Sequence, residues 1–280
     1  MTLGGGPGLR LLLAMGALLF GPAPGAAREL LRVSGTGTAL GTFRQLIPAF
    51  ERVNPGVTVK LLPSVGSSGA IQAVAEGALD LGVSGRPLAP REQARGLVAM
   101  AYARTPFVFA AGPRVSATGL EAAQLVRIYR GEVTTWPDGE RVRLVLRPRT
   151  DVDTVFIRAI SPELDAAMEV ALGREGLVLA ATNQDCNEAL ARTPGSVGPT
   201  TLSQLLTESH SLRPLDWNGV TPTIVNLTSG AYPLGKTLWV VSRSVPPAAV
   251  TRFIAFLGSQ EANRILERTG NLPVPPPPRP

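Results

Sequence analysis

Three turns constrain this chain more than anything else in it. Each follows an apolar run of strand length, is built from glycine and hydroxyl residues, and opens a run of helical spacing. The first is Ser34-Gly35-Thr36-Gly37-Thr38, placed between Leu30–Ser34 and Leu40, Phe43, Leu46, Ile47 and Phe50. The second, Gly66-Ser67-Ser68-Gly69, lies between the alternating Val57, Val59, Leu61 and a short helix over 70–78. A third strand over 79–84 completes a β-α-β-α-β pattern. Such short connections predict a mostly parallel sheet with helices on its faces. Pro48 falls inside the first helical run and is expected to kink or end it. The third turn, Arg147 to Thr154, follows the strand Leu144–Leu146 and leads into a helix from Thr154 to about Ile160.

Further along, Pro106–Ala110 reads as a strand and Leu120–Tyr129 as a helix. Thr182 is placed to cap a helix over Asn183–Arg192. Thr237–Val241 reads as a strand, and Val245–Leu257 and Gln260–Arg268 as amphipathic helices split by Gly258-Ser259. Trp136, Trp217 and Trp239 are too widely spaced for a local aromatic cage and read as packing residues. Cys186 is expected to be buried or half-buried.

The N-terminus has the three parts of a secretory signal: Arg10, the apolar run Leu11–Phe20, and small residues up to Ala27. Cleavage is expected after Ala26 or Ala27. The run is about half the ~20 residues a membrane span needs, and no cysteine follows it for a lipid anchor. The mature chain is therefore expected to be exported and soluble.

Composition removes several chemistries. At 44% hydrophobic residues and mean hydropathy +0.16, the chain is neither disordered nor polytopic. A single cysteine and a single histidine, His210, exclude a disulfide framework and a multi-Cys or His-rich metal site. His210, in a polar stretch, reads as solvated. A Ser-His-Asp triad has only His210 to use, no Gly-x-Ser-x-Gly elbow occurs, and among 21 acidic residues no pair stands out. A binding protein is expected rather than an enzyme, with no cofactor and no metal. Lys60 and Lys236 are the only lysines among 27 basic residues, so 25 are arginine. They are scattered, which argues against nucleic acid. The net charge of +6 suits an anionic partner, and a GC-rich genome gives the same composition without one.

A helix N-terminus carries unpaired N–H groups and the positive end of the helix dipole. Glycine admits an anion close to the backbone, hydroxyls add donors, and arginine adds a charged fork. Three such turns on one cleft would hold a small oxyanion, whereas any one of them alone is an ordinary helix cap.

Ser34–Thr38, Gly66–Gly69 and Asp80-Leu81-Gly82-Val83-Ser84-Gly85-Arg86-Pro87-Leu88 together resemble the phosphate-type periplasmic substrate-binding proteins of ABC transporters. Arg147-Pro148-Arg149-Thr150-Asp151-Val152-Asp153-Thr154 looks like that family's second-lobe arginine loop. Thr193-Pro194-Gly195-Ser196-Val197-Gly198 looks like its Pro-Gly-Ser-Ile-Gly turn, and Tyr232-Pro233-Leu234 like its return crossing. The resemblance implies an α/β, two-lobed periplasmic-binding-protein-like fold, each lobe a mostly parallel sheet flanked by helices. Residues 28–110 plus 234–272 would form lobe one and 111–233 lobe two, after a leader over 1–27 and before a proline-rich tail over 273–280. It implies a ligand set of Thr36, Gly37, Thr38, Ser67, Ser68 and Gly69 from lobe one. Lobe two would add Asp153, Thr154 and either Arg147, which sits directly at the strand end and is favoured, or Arg149.

Two positions depart from the family. Its third strand carries, after the serine, an aspartate that accepts the proton of hydrogen phosphate; here that position is Gly85, followed by Arg86. Arg86 is either a third cation at the cleft or a surface fork. The family's second-lobe Ser-Gly-Thr is here Val152-Asp153-Thr154. Asp153 either reads a protonated ligand, or caps the helix and pairs with an arginine. The implied partners are a small oxyanion, phosphate first, and an ABC permease. The alternative is a periplasmic sensor or scaffold beside a membrane partner, with altered or lost anion binding. The chain is expected to be a monomer.

Overall fold

The computed structural model describes residues 1, 2, 4, 28–208 and 211–275. The leader with its cleavage site, His210 and the end of the tail lie outside the described residues. Strand β1 (Glu29–Gly35), helix α1 (Gly37–Val53), β2 (Val57–Leu61), α2 (Gly66–Ala75) and β3 (Leu81–Ser84) alternate. Helix α3 (Pro90–Gln93) leads into β4 (Leu97–Ala111). Then follow β5 (Gly119–Leu120), α4 (Ala122–Arg130), β6 (Arg143–Leu146), α5 (Val152–Arg158), α6 (Pro162–Leu172) and β7 (Val178–Leu179). Next come α7 (Asn183–Arg192), β8 (Ser196–Thr201), α8 (Leu202–Thr207), β9 (Arg213–Pro214), β10 (Asp216–Trp217) and α9 (Ile224–Ser229). The chain returns through β11 (Gly235–Arg243), α10 (Ala248–Leu257), α11 (Gln260–Arg268) and β12 (Leu272–Pro273).

The strands run β2-β1-β3-β11-β4-β8-β6-β7, with β9 and β12 added beside β4. Pairing is parallel where a helix connects the strands: β1 with β2 and β3, and β6 with β7 and β8. It is antiparallel where the crossing strands enter, β11 against β3 and β4, and β4 against β8. The fold is α/β and two-lobed, and β4 belongs to both halves. Its first part, Leu97 to Pro106, pairs with β11; its second, Phe107 to Ala111, pairs with β8. At the junction Phe107 N donates to Leu234 O (2.7 Å) and the buried Tyr232 hydroxyl donates to Phe107 O (2.7 Å). Gly235 lets the strands approach closely there: a Cβ would stand 2.8 Å from Leu227 Cδ1 and 2.6 Å from Arg104 Nη2, so those side chains would have to shift.

Each half has its own apolar core. One gathers Phe43 and Phe50 of α1 with Phe253 and Phe256 of α10 against β1–β3. The Phe50 and Phe253 rings sit 4.8 Å apart, edge to face, and each buried ring contributes about 1.5–3 kcal/mol. The other gathers Phe107 and Phe109 with α4, α6 and Trp217, which stacks on Phe109 at 5.3 Å. Trp136 is buried and donates Nε1 to Gly195 O (2.9 Å). Cys186 is buried, which raises its thiol pKa.

Several local expectations are corrected. Pro48 does not end α1, which runs through it to Val53. Pro48 faces solvent, so the carbonyl deprived of its N–H partner lies on the wet side of the helix. Gly66–Gly69 is not a turn before a helix but the first turn of α2 itself. Helix α5 begins at Val152, two residues early, because Asp151 caps it: its carboxylate accepts from Asp153 N at 2.9 Å.

Candidate functional site

The starts of α1, α2, α5 and α7 meet between the two cores, and the residues there fall into two groups. The first is sealed. Thr36, Thr38, Asp153 and Thr154 are at most 3% exposed, and Lys236 is 2% exposed. Lys236 Nζ forms an ion pair with Asp153 Oδ1 and donates to Thr38 Oγ1 at 3.2 Å. The second Asp153 oxygen accepts from Asn183 Nδ2 at 2.7 Å. Thr36 Oγ1 reaches Asn183 Oδ1 at 3.4 Å, and Gln184 Nε2 donates to the Gly37 carbonyl at 3.1 Å. The Thr154 hydroxyl donates to Arg147 O (3.0 Å), tying α5 back to the end of β6.

Gly85 explains how the lysine fits. A Cβ at that position would lie 2.8 Å from Lys236 Cε and 3.4 Å from Nζ. The side chain that the resembled family carries there is replaced in space by a lysine from β11. Asp153 neither caps α5 nor pairs with an arginine: Asp151 is the cap and Lys236 is the partner. The Asp153 carboxylate thus sits between donors from two segments, Lys236 of β11 and Asn183 of α7, as the carboxylate of a bound guest would.

The second group is open. A cavity of about 400 Å³ is lined by Ser67, Ser68 and Gly69 at the start of α2, facing Arg147, Asp151 and Thr182. Arg147 is 3% exposed. It donates Nη1 to Ala180 O (2.6 Å) and Nη2 to Asp151 Oδ2 (2.7 Å), while its buried Nε has no partner. Ser67 Oγ accepts from Gly85 N at 2.9 Å, which leaves its proton free to donate into the cavity. Burial, with the neighbouring Asp153 charge behind it, holds the Asp151 carboxyl above the usual aspartate range.

The predicted residues therefore divide. Ser67, Ser68, Gly69 and Arg147 line the open cavity; Thr36, Gly37, Thr38, Asp153 and Thr154 build the seal beside it. Arg149 is turned outward, 53% exposed, in an ion pair with Glu169. Arg86 grips Glu92 with both terminal nitrogens (2.8 and 2.7 Å) and donates to Ser68 Oγ (3.2 Å), outside the Arg147 cavity. That fork holds the Glu92 carboxyl down to about 2. Asp80 is structural, bonded to Arg32 at 2.9 Å. Lys236, Asn183 and Gln184 were absent from the predicted set. The one signal for Lys236 was its rarity: a lysine where the chain otherwise uses arginine supplies a compact point charge in a space too tight for a planar fork. Among the described residues no group of acidic, His or Cys side chains is arranged to hold a metal, and no helix is long and apolar enough to cross a membrane.

Known proteins are similar to this chain in sequence and in fold. The phosphate-binding protein PstS of Borreliella burgdorferi is 22% identical over 254 residues, covering 88% of this chain and 90% of that protein. An ABC-type phosphate transport receptor from Vibrio cholerae superposes with a TM-score of 0.61 at 18% identity, over 87% of this chain and 99% of the other. The high-affinity periplasmic phosphate-binding protein PfluDING, bound with phosphate, gives a TM-score of 0.68 at 14% identity, over 88% and 90%. Residues 21–261 match the family model of the PBP superfamily domain. With most of its length so matched, the chain belongs to the PBP superfamily.

Proposed function

We propose that this protein is an exported, periplasmic solute-binding protein that holds a small oxyanion, phosphate first among them, between its lobes and delivers it to an ABC permease. It works by binding, not catalysis, and as a monomer. Residues 28–110 with 234–272 move as one lobe and 111–233 as the other, hinged where β4 and the Leu234–Gly235 return cross. Ligand contacts from both sides stabilise the closed form. The observation that carries this reading is the open cavity: a helix start with free hydroxyl protons faces a buried arginine whose Nε lacks a partner. Such donors suit an oxyanion in a desolvated site. The PstS relative and the phosphate-bound structure support phosphate as the guest.

The seal favours a second reading, a sensor or scaffold that closes on its own Asp153 carboxylate and has lost tight anion binding. Thermal-shift screening of the mature protein against phosphate, sulfate, molybdate, tungstate and small carboxylates separates the two. Stabilisation by an oxyanion, followed by a calorimetric 1:1 isotherm, is the expected result. A flat response to the whole panel overturns the binding reading in favour of the second.

A further inference from the structure

Resting on the oxyanion reading above, we propose that the cleft takes its anion as the head group of a larger molecule: a phosphomonoester whose short apolar arm lies in a second cavity beside the Arg147 cavity. That second cavity, of about 550 Å³, has Leu40, Leu61, Leu62 and Pro63 in its lining. Ser64 and Thr182 line both cavities, so the two adjoin. Leu40 belongs to α1 and Leu61 ends β2, whereas Thr182 caps α7 across the interface. An arm lying there touches both halves of the protein, as the head does between α2 and Arg147.

Room and chemistry both point this way. A free oxyanion is a single central atom with its oxygens, whereas cavities of ~300–1,000 Å³ are the size of those that hold drug-sized ligands. The Arg147 cavity alone has about 400 Å³. The enclosed place beside it, at the start of α1, is already taken by Lys236 and Asp153, so no bare ion can be wrapped there. What stays open has two characters. On one side of Ser64 and Thr182 lie the Ser67 and Ser68 hydroxyls and the Arg147 guanidinium with its unpartnered, buried Nε, which suit a charged head. On the other side the lining is largely aliphatic, and Leu61 and Leu62 there are only half-buried. Covering such surface with hydrocarbon strengthens binding by about fourfold per buried methylene. The one cation in that second cavity is Arg44, which is exposed and can fold its aliphatic stem over an arm. The arm is therefore apolar rather than a second phosphoryl group.

The test is calorimetric titration of the mature protein with inorganic phosphate, methyl phosphate, n-butyl phosphate and pyrophosphate. Butyl phosphate is expected to bind at least ~10-fold tighter than inorganic phosphate, with methyl phosphate between them. Leu62→Asn is expected to narrow the butyl-to-inorganic ratio at least ~3-fold, because it removes apolar surface under the arm. Arg147→Ala is expected to weaken both ligands and leave their ratio as in wild type. Should Leu62→Asn not fold, the alkyl series in wild type decides alone. A gain for butyl phosphate below ~10-fold overturns the proposal while leaving oxyanion binding intact. Pyrophosphate binding tighter than butyl phosphate does the same, and assigns the second cavity to a second anionic group at Arg44. A ratio unmoved in folded Leu62→Asn, or lost in Arg147→Ala, overturns the placement of the arm and the proposal with it. Absence of binding by all four ligands overturns phosphate as the guest as well.

Discussion

The sealed and open halves of the cleft use the same parts to opposite ends. Both set a helix start against a carboxylate and a cation: α1 with Asp153 and Lys236 in one, α2 with Asp151 and Arg147 in the other. In the sealed half the cation comes from the far side of the interface and closes onto the carboxylate, and both side chains are 1% exposed. In the open half cation and carboxylate share one loop, four residues apart, so their pair cannot bridge the lobes and space is left between them and α2. Where the partner comes from, rather than which residue types are present, decides whether a charged pair closes the cleft or leaves room for a ligand.

The largest effect expected from breaking that contrast is in the sealed half. Lys236→Met leaves the Asp153 charge buried without its counter-ion, which should cost about 3–5 kcal/mol of stability. Denaturant unfolding measures it. Combining Lys236→Met with Asp153→Asn should restore at least ~1 kcal/mol of the loss, since the neutral amide no longer needs the cation. Additive losses would mean that the two groups act independently. In the open half, Arg147→Ala should weaken oxyanion binding by about 1.5–3 kcal/mol, the range for a hydrogen bond to a charged group. Unchanged affinity by calorimetry would remove Arg147 from the ligand set.

The same contrast explains what could be read from the chain beforehand. The alternation of β1 to β3 was legible because its turns are local and its apolar periodicities differ. The helices Asn183–Arg192 and Gln260–Arg268 were legible because Thr182 and Ser259 cap them, each accepting from the N–H three residues on. Strand β4 was legible only in its last third. Over 97–105 it is buried on varied faces by two different neighbours, so its residues neither alternate nor repeat at helical spacing. The seal was illegible for a different reason. Lys236 meets Thr38 across 198 positions and Asp153 across 83, and no local pattern encodes such a meeting. Asp151 was passed over for Asp153 because both lie in one acidic turn, and only the start of α5 decides which one caps the helix.

Acid should also act outside the cleft. The Arg86 fork and the Ala89 N–H hold the Glu92 carboxyl near 2 in the folded chain, against 4.5 for a free glutamate. A depressed carboxyl binds fewer protons folded than unfolded, so it adds stability above pH 4.5, and this is lost as pH falls towards 2. Glu92→Gln should therefore flatten the stability profile between pH 4.5 and 2 and leave phosphate affinity at pH 7 nearly unchanged. An acid profile identical to wild type would show that the fork is not maintained in solution.

The smallest effect separates two arginines of one loop. Arg147 and Arg149 stand two residues apart, which in an extended strand would put both on one face. They do not share a face because β6 ends at Leu146 and the chain turns at once, with Asp151 N closing onto Pro148 O at 2.9 Å. That turn carries Arg149 out to Glu169, which also receives Arg158 at 2.8 Å, so the acid keeps a partner without it. An exposed pair of this kind is worth at most about 1 kcal/mol. Arg149→Ala should change stability by no more than ~0.5 kcal/mol and oxyanion affinity not at all, against the large loss in Arg147→Ala. Equal losses of affinity in the two variants would mean that the loop rearranges around its ligand, and that the division of the cleft does not persist on binding.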